Sequence, residues 1–243
     1  MAQEIGKRAG YEQRFTVGLA GGIGTPAAAA ASFMMGADFI LTGSINQCTV
    51  EAGISDEVKD LLQQINVQDT AYAPAGDMFE MGSRVQVLKK GVFFPHRANK
   101  LHALYQHYES LDEIPRNIRS QLETRFFKKT FDEVWRETVQ YFEGKGERDE
   151  ISRAERNPKH KMALVFRWYF GYSMRLAFEG DLANRVDFQV HTGPALGAFN
   201  QSVAGTRLEN WRNRHVDAIG ITLMEQTAAF LSRRFHELVV SNR

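Results

Sequence analysis

One cysteine, Cys48, stands among the 243 residues, so the chain has no intrachain disulfide framework and fits a reducing cytoplasm. Neither sign of charge is in excess. The 30 Lys and Arg nearly balance the 29 Asp and Glu, leaving a formal net charge of +1 and no bulk electrostatic footprint for nucleic acid or a strongly acidic partner. No segment reaches the roughly 20 apolar residues that a membrane-spanning helix needs. Met1-Ala-Gln-Glu-Ile-Gly-Lys-Arg8 also lacks the apolar stretch of a signal peptide. The seven histidines (His96, His102, His107, His160, His191, His215 and His236) show no compact zinc spacing with Cys48, so no metal site is expected. There is no G-x-S-x-G elbow for a serine hydrolase, no internal repeat and no low-complexity tract.

What the chain does have is concentrated near its start. Phe15-Thr-Val-Gly-Leu-Ala-Gly-Gly-Ile-Gly-Thr-Pro26 is followed within one short helix by Phe39-Ile-Leu-Thr-Gly-Ser44. Thr16, Val17 and Leu19 suit a buried strand, and Gly21, Gly22 and Gly24 let the backbone turn sharply with its N–H groups uncovered. Thr25 is a good N-cap and Pro26 suits the first helical position, where its missing donor costs nothing. The spacing predicts a helix over Ala27 to Met35 stopped by Gly36, then a second strand over Phe39 to Thr42 running into Gly43-Ser44. A strand, helix and parallel strand of this kind make a right-handed crossover, with an anion-binding turn at the helix start.

Several readings compete for this pattern. A P-loop requires Lys after its last glycine, and Thr25-Pro26 stands there instead. Gly22-Ile-Gly24-Thr-Pro-Ala27 fits the dinucleotide fingerprint G-x-G-x-x-A, but that motif also asks for an acid at the end of the second strand, and Asp38 lies at its beginning. Two successive glycine-ended strands also suit the last two strands of a (β/α)8 barrel, where phosphate is commonly held. The remaining reading is a tight turn with a packed glycine and no ligand.

Beyond Ser44 the pattern is almost wholly helical. Met1 to Arg14 reads as one helix, and Ser55-Asp-Glu opens another through Leu61, Leu62 and Ile65. Thr130-Phe-Asp-Glu133 is a capping box, with Phe131, Val134, Trp135, Thr138 and Phe142 at helical spacing. Met162 to Phe178 is apolar nearly all round and reads as a buried central helix. A last helix begins near His215. Cys48 reads as a buried thiol in preference to a nucleophile. Asp77-Met-Phe-Glu80 is open to a functional or a core reading. His160, with Lys159, Lys161, Arg153, Arg156 and Arg167, is open to carrier-protein docking or to a solvated helix start.

The run Ala20 to Ala31 with Gly36 to Gln47 resembles the PfaD-type, flavin-dependent enoyl reductases of polyketide and polyunsaturated fatty acid synthesis. Ala73 to Gly82, Val85 to Lys89, Asn157 to Met162, Phe166 to Tyr169, Gly193-Pro-Ala-Leu-Gly-Ala-Phe-Asn200 and Glu209-Asn-Trp-Arg-Asn-Arg214 resemble the C-terminal half of the same family. The resemblance implies an α/β fold in which residues 1–45 are the C-terminal portion of an FMN-binding TIM barrel, its last two strands. Residues 46–243 would then be a mainly helical lid or accessory domain.

The resemblance further implies FMN, reduced by NADPH, as the hydride donor to an α,β-unsaturated thioester on an acyl carrier protein of a polyketide or fatty acid synthase. Gly21, Gly22 and Ile23 match the family's first phosphate loop, and Gly43, Ser44 and Ile45 the second. No residue of this chain matches the catalytic group, because the family's earlier barrel strands have no counterpart here. The expectation is therefore a fragment, a truncated frame or a half-barrel completed by another chain or copy. The alternatives are a non-catalytic helical interaction module with a vestigial phosphate loop, or a nitronate monooxygenase-like flavoenzyme.

Overall fold

A computed structural model describes residues 2–240, the side chains of residues 2 and 3 excepted. Met1 and residues 241–243, which the readings of the first helix and of the C-terminal domain include, lie outside the described residues. In chain order the elements are α1 (Ala2–Arg8), β1 (Gly18–Ala20), α2 (Pro26–Met34), β2 (Phe39–Leu41), α3 (Asp56–Leu62), β3 (Thr70–Pro74), β4 (Arg84–Leu88), α4 (Phe94–His107), α5 (Arg116–Leu122), α6 (Phe131–Lys145), α7 (Arg148–Arg156), α8 (Pro158–Glu179), α9 (Pro194–Ser202) and α10 (Val216–Val240). Packing gathers them into two compact units. The first comprises Met1–Gly53, Lys59–Asp69 and Thr192–Arg243, and the second Ile54–Val58 and Thr70–His191.

In the first unit β1 and β2 pair in parallel, with Gly18, Leu19 and Ala20 opposite Phe39, Ile40 and Leu41. The helix between them starts as its sequence dictates. Pro26 leads, and Thr25 Oγ1 accepts the Ala28 N–H at 3.3 Å. It ends where Gly36 takes φ +94° and returns its N–H to Phe33 O at 2.9 Å. Asp38, ahead of β2, accepts the Val17 N–H at 2.9 Å and pairs with Arg14, so no acid stands at the strand end where a ribose would need one. The helix expected over Met1 to Arg14 is shorter: Gly10 adopts φ +77° and the Tyr11 N–H folds back to Gly6 O at 3.0 Å, which terminates α1. α10 lies against α2 and buries Ile219, Leu223 and Thr227.

The second unit is a helical core with a hairpin. α8 runs through its middle and buries Met162, Ala163, Val165, Phe166, Tyr169 and Phe170 among the rings of Phe79, Phe94, Phe127 and Phe131. The capping box of α6 is complete: Glu133 N–H donates to Thr130 Oγ1 at 3.2 Å, and Thr130 N–H to Glu133 Oε2 at 2.7 Å. The stretch after Ser44 is less uniformly helical than its sequence suggests. β3 and β4 form an antiparallel pair from Thr70↔Leu88 to Pro74↔Arg84, joined at its edge by a Val87↔His191 bridge.

Candidate functional site

Because Ala20 stands opposite Leu41 in a parallel pair, the chain leaves both strands at the same end, and the turns at 21–24 and 43–45 are neighbours. Gly21 and Gly22 hold φ of +88° and +73°, a region that L side chains enter only with strain. A Cβ at Gly21, Gly22 or Gly43 would meet nothing within 4 Å, so the approach to both turns is open. Gly24 is constrained from beneath instead. A Cβ there would stand 2.3 Å from Ala195 O and 3.1 Å from Ile45 Cγ2, so the start of α9 packs directly against the first turn and ties it to the second. Ile23 and Ile45 are buried anchors, whereas Gly21, Gly22 and Gly43 are exposed.

Among the described residues none accepts a hydrogen bond from the amides of Gly22, Ile23 or Gly43, which lie beyond the strand ladder. Ser44 and Ile45 open a short 3-10 helix, Ser44–Cys48, whose first amides have no intrahelical acceptor. The backbone therefore presents several donors around one open space, a set suited to phosphate oxygens. Asn46, which the sequence reading did not single out, fixes the second turn by donating to Thr42 O at 3.2 Å and to Thr42 Oγ1 at 3.1 Å.

Cys48 closes that 3-10 helix and is fully buried. Burial pushes its thiol up to about 11, against the opposing pull of Arg214 and Lys59, so it stays protonated and unreactive. Arg214 itself is buried, and desolvation draws it below its usual range. It donates to Leu208 O at 2.7 Å, Asn200 Oδ1 at 2.9 Å and Glu209 O at 3.0 Å. Asn200, on α9, in turn donates to Leu62 O and Ile65 O, both at 2.9 Å. The segments Gly193 to Asn200 and Glu209 to Arg214 thus form the support behind the glycine turns.

The other sequence candidates lie in the second unit. Asp77-Met-Phe-Glu80 divides by residue: Phe79 is core, 5.2 Å from the His102 ring and 5.5 Å from Phe170, while Met78 and Met81 are exposed. His160 fits neither surface reading. It is 3% exposed, with Nδ1 2.8 Å from Glu80 and Nε2 2.9 Å from Glu150, so it is an internal tie between the hairpin loop, α7 and α8. Asp187, also unforeseen, is fully buried, pairs with Arg97 and accepts the Tyr169 hydroxyl at 2.7 Å; burial drives that phenol well above its ordinary range. Among the described residues no group of three or more His, Cys, Asp and Glu is placed to hold a metal ion, and no helix is long and apolar enough to cross a membrane.

Comparison with known proteins gives a consistent set of relatives. Residues 108–188 match the family described as the inserted helical domain of [acyl-carrier-protein] S-malonyltransferase. Over 238 residues the chain is 59% identical to the polyketide biosynthesis protein PksE of Bacillus subtilis (strain 168), covering 98% of this chain and 30% of that protein. It is 47% identical over 198 residues to one component of the polyunsaturated fatty acid synthase of a Thraustochytrium species, covering 81% of this chain and 13% of that component. Among solved structures it superposes on the enoyl reductase domain of MlnA, from the macrolactin biosynthesis cluster of Bacillus amyloliquefaciens, with a TM-score of 0.93 at 51% identity, covering 98% of this chain and 53% of that one. The chain therefore spans about half of that structure and less than a third of the curated relatives.

Proposed function

We propose that the chain is the C-terminal part of a PfaD-like enoyl reductase of polyketide or polyunsaturated fatty acid synthesis, in keeping with its relatives, and that it supplies the phosphate-holding end of an FMN-binding (β/α)8 barrel. On this reading residues 1–45 are the last two strands of the barrel and residues 46–243 the accessory domain. The observation that carries it is the pair of neighbouring glycine turns, open above, with the amides of Gly22, Ile23 and Gly43 lacking an acceptor among the described residues and α9 packed beneath. Exposed apolar side chains on the two strands, Phe39 and Leu41 on β2 and Val17 just before β1, favour further barrel strands packing there.

Gly21, Gly22 and Ile23 would hold the FMN phosphate from one side and Gly43, Ser44 and Ile45 from the other, through backbone N–H groups. The bare glycines admit the phosphate to the backbone, and the buried side chains of Ile23 and Ile45 keep the turns from shifting when it binds. When bound, FMN would supply hydride transfer, taking a hydride from NADPH and giving it to the β-carbon of an enoyl thioester on an acyl carrier protein, whose α-carbon gains a proton. No residue of this chain is assigned as the proton donor. The partner would be the carrier protein of a polyketide or fatty acid synthase, in keeping with a polyketide biosynthesis protein and a polyunsaturated fatty acid synthase subunit among the relatives.

The test is NADPH oxidation with crotonyl-carrier-protein, using this chain joined to the preceding half of the MlnA domain. Flavin-dependent turnover that disappears in Gly22→Asp supports the reading. A joined protein that holds FMN yet leaves both NADPH and the enoyl thioester untouched would contradict it.

A further inference from the structure

Inside the first unit lie two cations with no buried acid to meet them. Arg214 is 1% and Lys59 4% exposed, and the only buried Asp or Glu among the described residues, Asp187, belongs to the second unit. The acceptors of Arg214 are two backbone carbonyls and the Asn200 amide oxygen. Lys59 donates to Val50 O at 3.3 Å and lies 4.7 Å over the Trp211 ring. The carboxylates that reach this group are exposed ones: Glu209, which acts on Arg214, and Asp60, about half exposed and taken up by Trp211 Nε1 at 2.7 Å and Arg212 at 3.1 Å. Cys48, beside both cations, stays a neutral thiol and offers no compensation. Burying charge without a counter-charge is costly, and an anion placed within its field offsets that cost.

Both cations abut the segment that carries the second glycine turn. Val50 N–H donates to Arg214 O at 2.9 Å, and Cys48 Sγ lies 3.5 Å from Lys59 O. From Cys48 back to Ser44 is one 3-10 helix, which at about 2 Å per residue spans on the order of 8 Å.

We propose that Arg214 and Lys59, which touch neither glycine turn, are positioning residues for the bound phosphate: they hold the 44–50 segment in place and supply the positive field behind it. This rests on the FMN reading above. At such a range in partly buried surroundings, removing one of the two charges weakens binding of a phosphate anion by about tenfold.

Riboflavin, which is FMN without the phosphate, separates charge from structure. In the joined protein, FMN and riboflavin affinities are measured by flavin fluorescence for the wild type, Lys59→Met, Lys59→Arg and Arg214→Gln. The expected result is about a tenfold loss of FMN affinity in Lys59→Met with riboflavin unchanged, and recovery in Lys59→Arg; Arg214→Gln moves in the same direction. If Arg214→Gln does not fold, Lys59→Met and Lys59→Arg decide. Equal loss of both ligands in Lys59→Met, or no loss of FMN, overturns the proposal. A wild type that binds FMN no better than riboflavin overturns the phosphate-site reading itself, and the proposal with it.

Discussion

Gly22 and Gly24 stand two residues apart, and one methyl group tells their roles apart. Alanine at Gly22 has open space but must take φ +73°, which costs roughly 1–2 kcal/mol. Alanine at Gly24 pushes a Cβ to within 2.3 Å of a backbone oxygen and forces α9 off the turn, an overpacking cost of about 1–3 kcal/mol or more. Urea denaturation should show Gly24→Ala as the less stable of the two; equal midpoints would mean that α9 yields freely.

Cys48 supports a pH prediction. Its thiol ionises near its ordinary 9.0 when unfolded and near 11 when folded, so between those values the unfolded chain holds fewer protons and stability falls as pH rises. The loss by pH 11 is roughly 2–3 kcal/mol, and Cys48→Ala should flatten the stability curve over that window. An unchanged alkaline slope in Cys48→Ala would assign the effect to other groups. At this scale the sequence discloses what depends on neighbours in the chain, such as the glycines, the Thr25 cap and the lone thiol. It is silent on the burial of Arg214, Lys59 and His160, which depends on segments brought together by the fold: Arg214 against residues 48–50, Lys59 under Trp211 and His160 on Glu80.

At the scale of elements, helix starts are legible because their caps are local. Thr130→Ala removes one half of the α6 capping box and should cost about 1 kcal/mol in stability, read by thermal or urea unfolding. Adding Glu133→Ala to that variant should cost less than Glu133→Ala does alone, since Thr130 Oγ1 also donates to Glu133 Oε2 at 2.7 Å and the two groups form one reciprocal unit; additive losses would contradict the reciprocity. The β3–β4 hairpin was not legible for a physical reason. Its connection, 75–83, is not a two-residue Asn-Gly or Asp-Gly turn, and only β4 alternates, over the four residues Arg84-Val-Gln-Val87, with no matching pattern in β3. Its loop is held by long-range contacts, with Phe79 in the aromatic core and Glu80 on His160. The end of α2 was legible at Gly36, but that of α1 was not: Gly10 in a left-handed conformation and the Tyr11 N–H turned back to Gly6 O stop it short of Arg14.

At the scale of the whole molecule, the parallel strand, helix and strand that form the first glycine turns could be read directly, since everything that makes them lies within residues 15–44. The return of residues 192–243 to pack with that segment could not, because α9 and α10 carry no signal in their own sequence for the helix and turns they support. The near-zero net charge excluded bulk electrostatic recognition but concealed the two buried cations, which a formal count of +1 averages away. The central claim is that the two glycine turns hold a flavin phosphate. Its most direct test is flavin content, by absorbance and fluorescence, of this chain alone and joined to the preceding half of its MlnA relative. The account predicts one FMN per joined protein, lost in Gly22→Asp and in Gly43→Asp. A joined, folded protein that never holds flavin, or holds it unchanged in both variants, would contradict it.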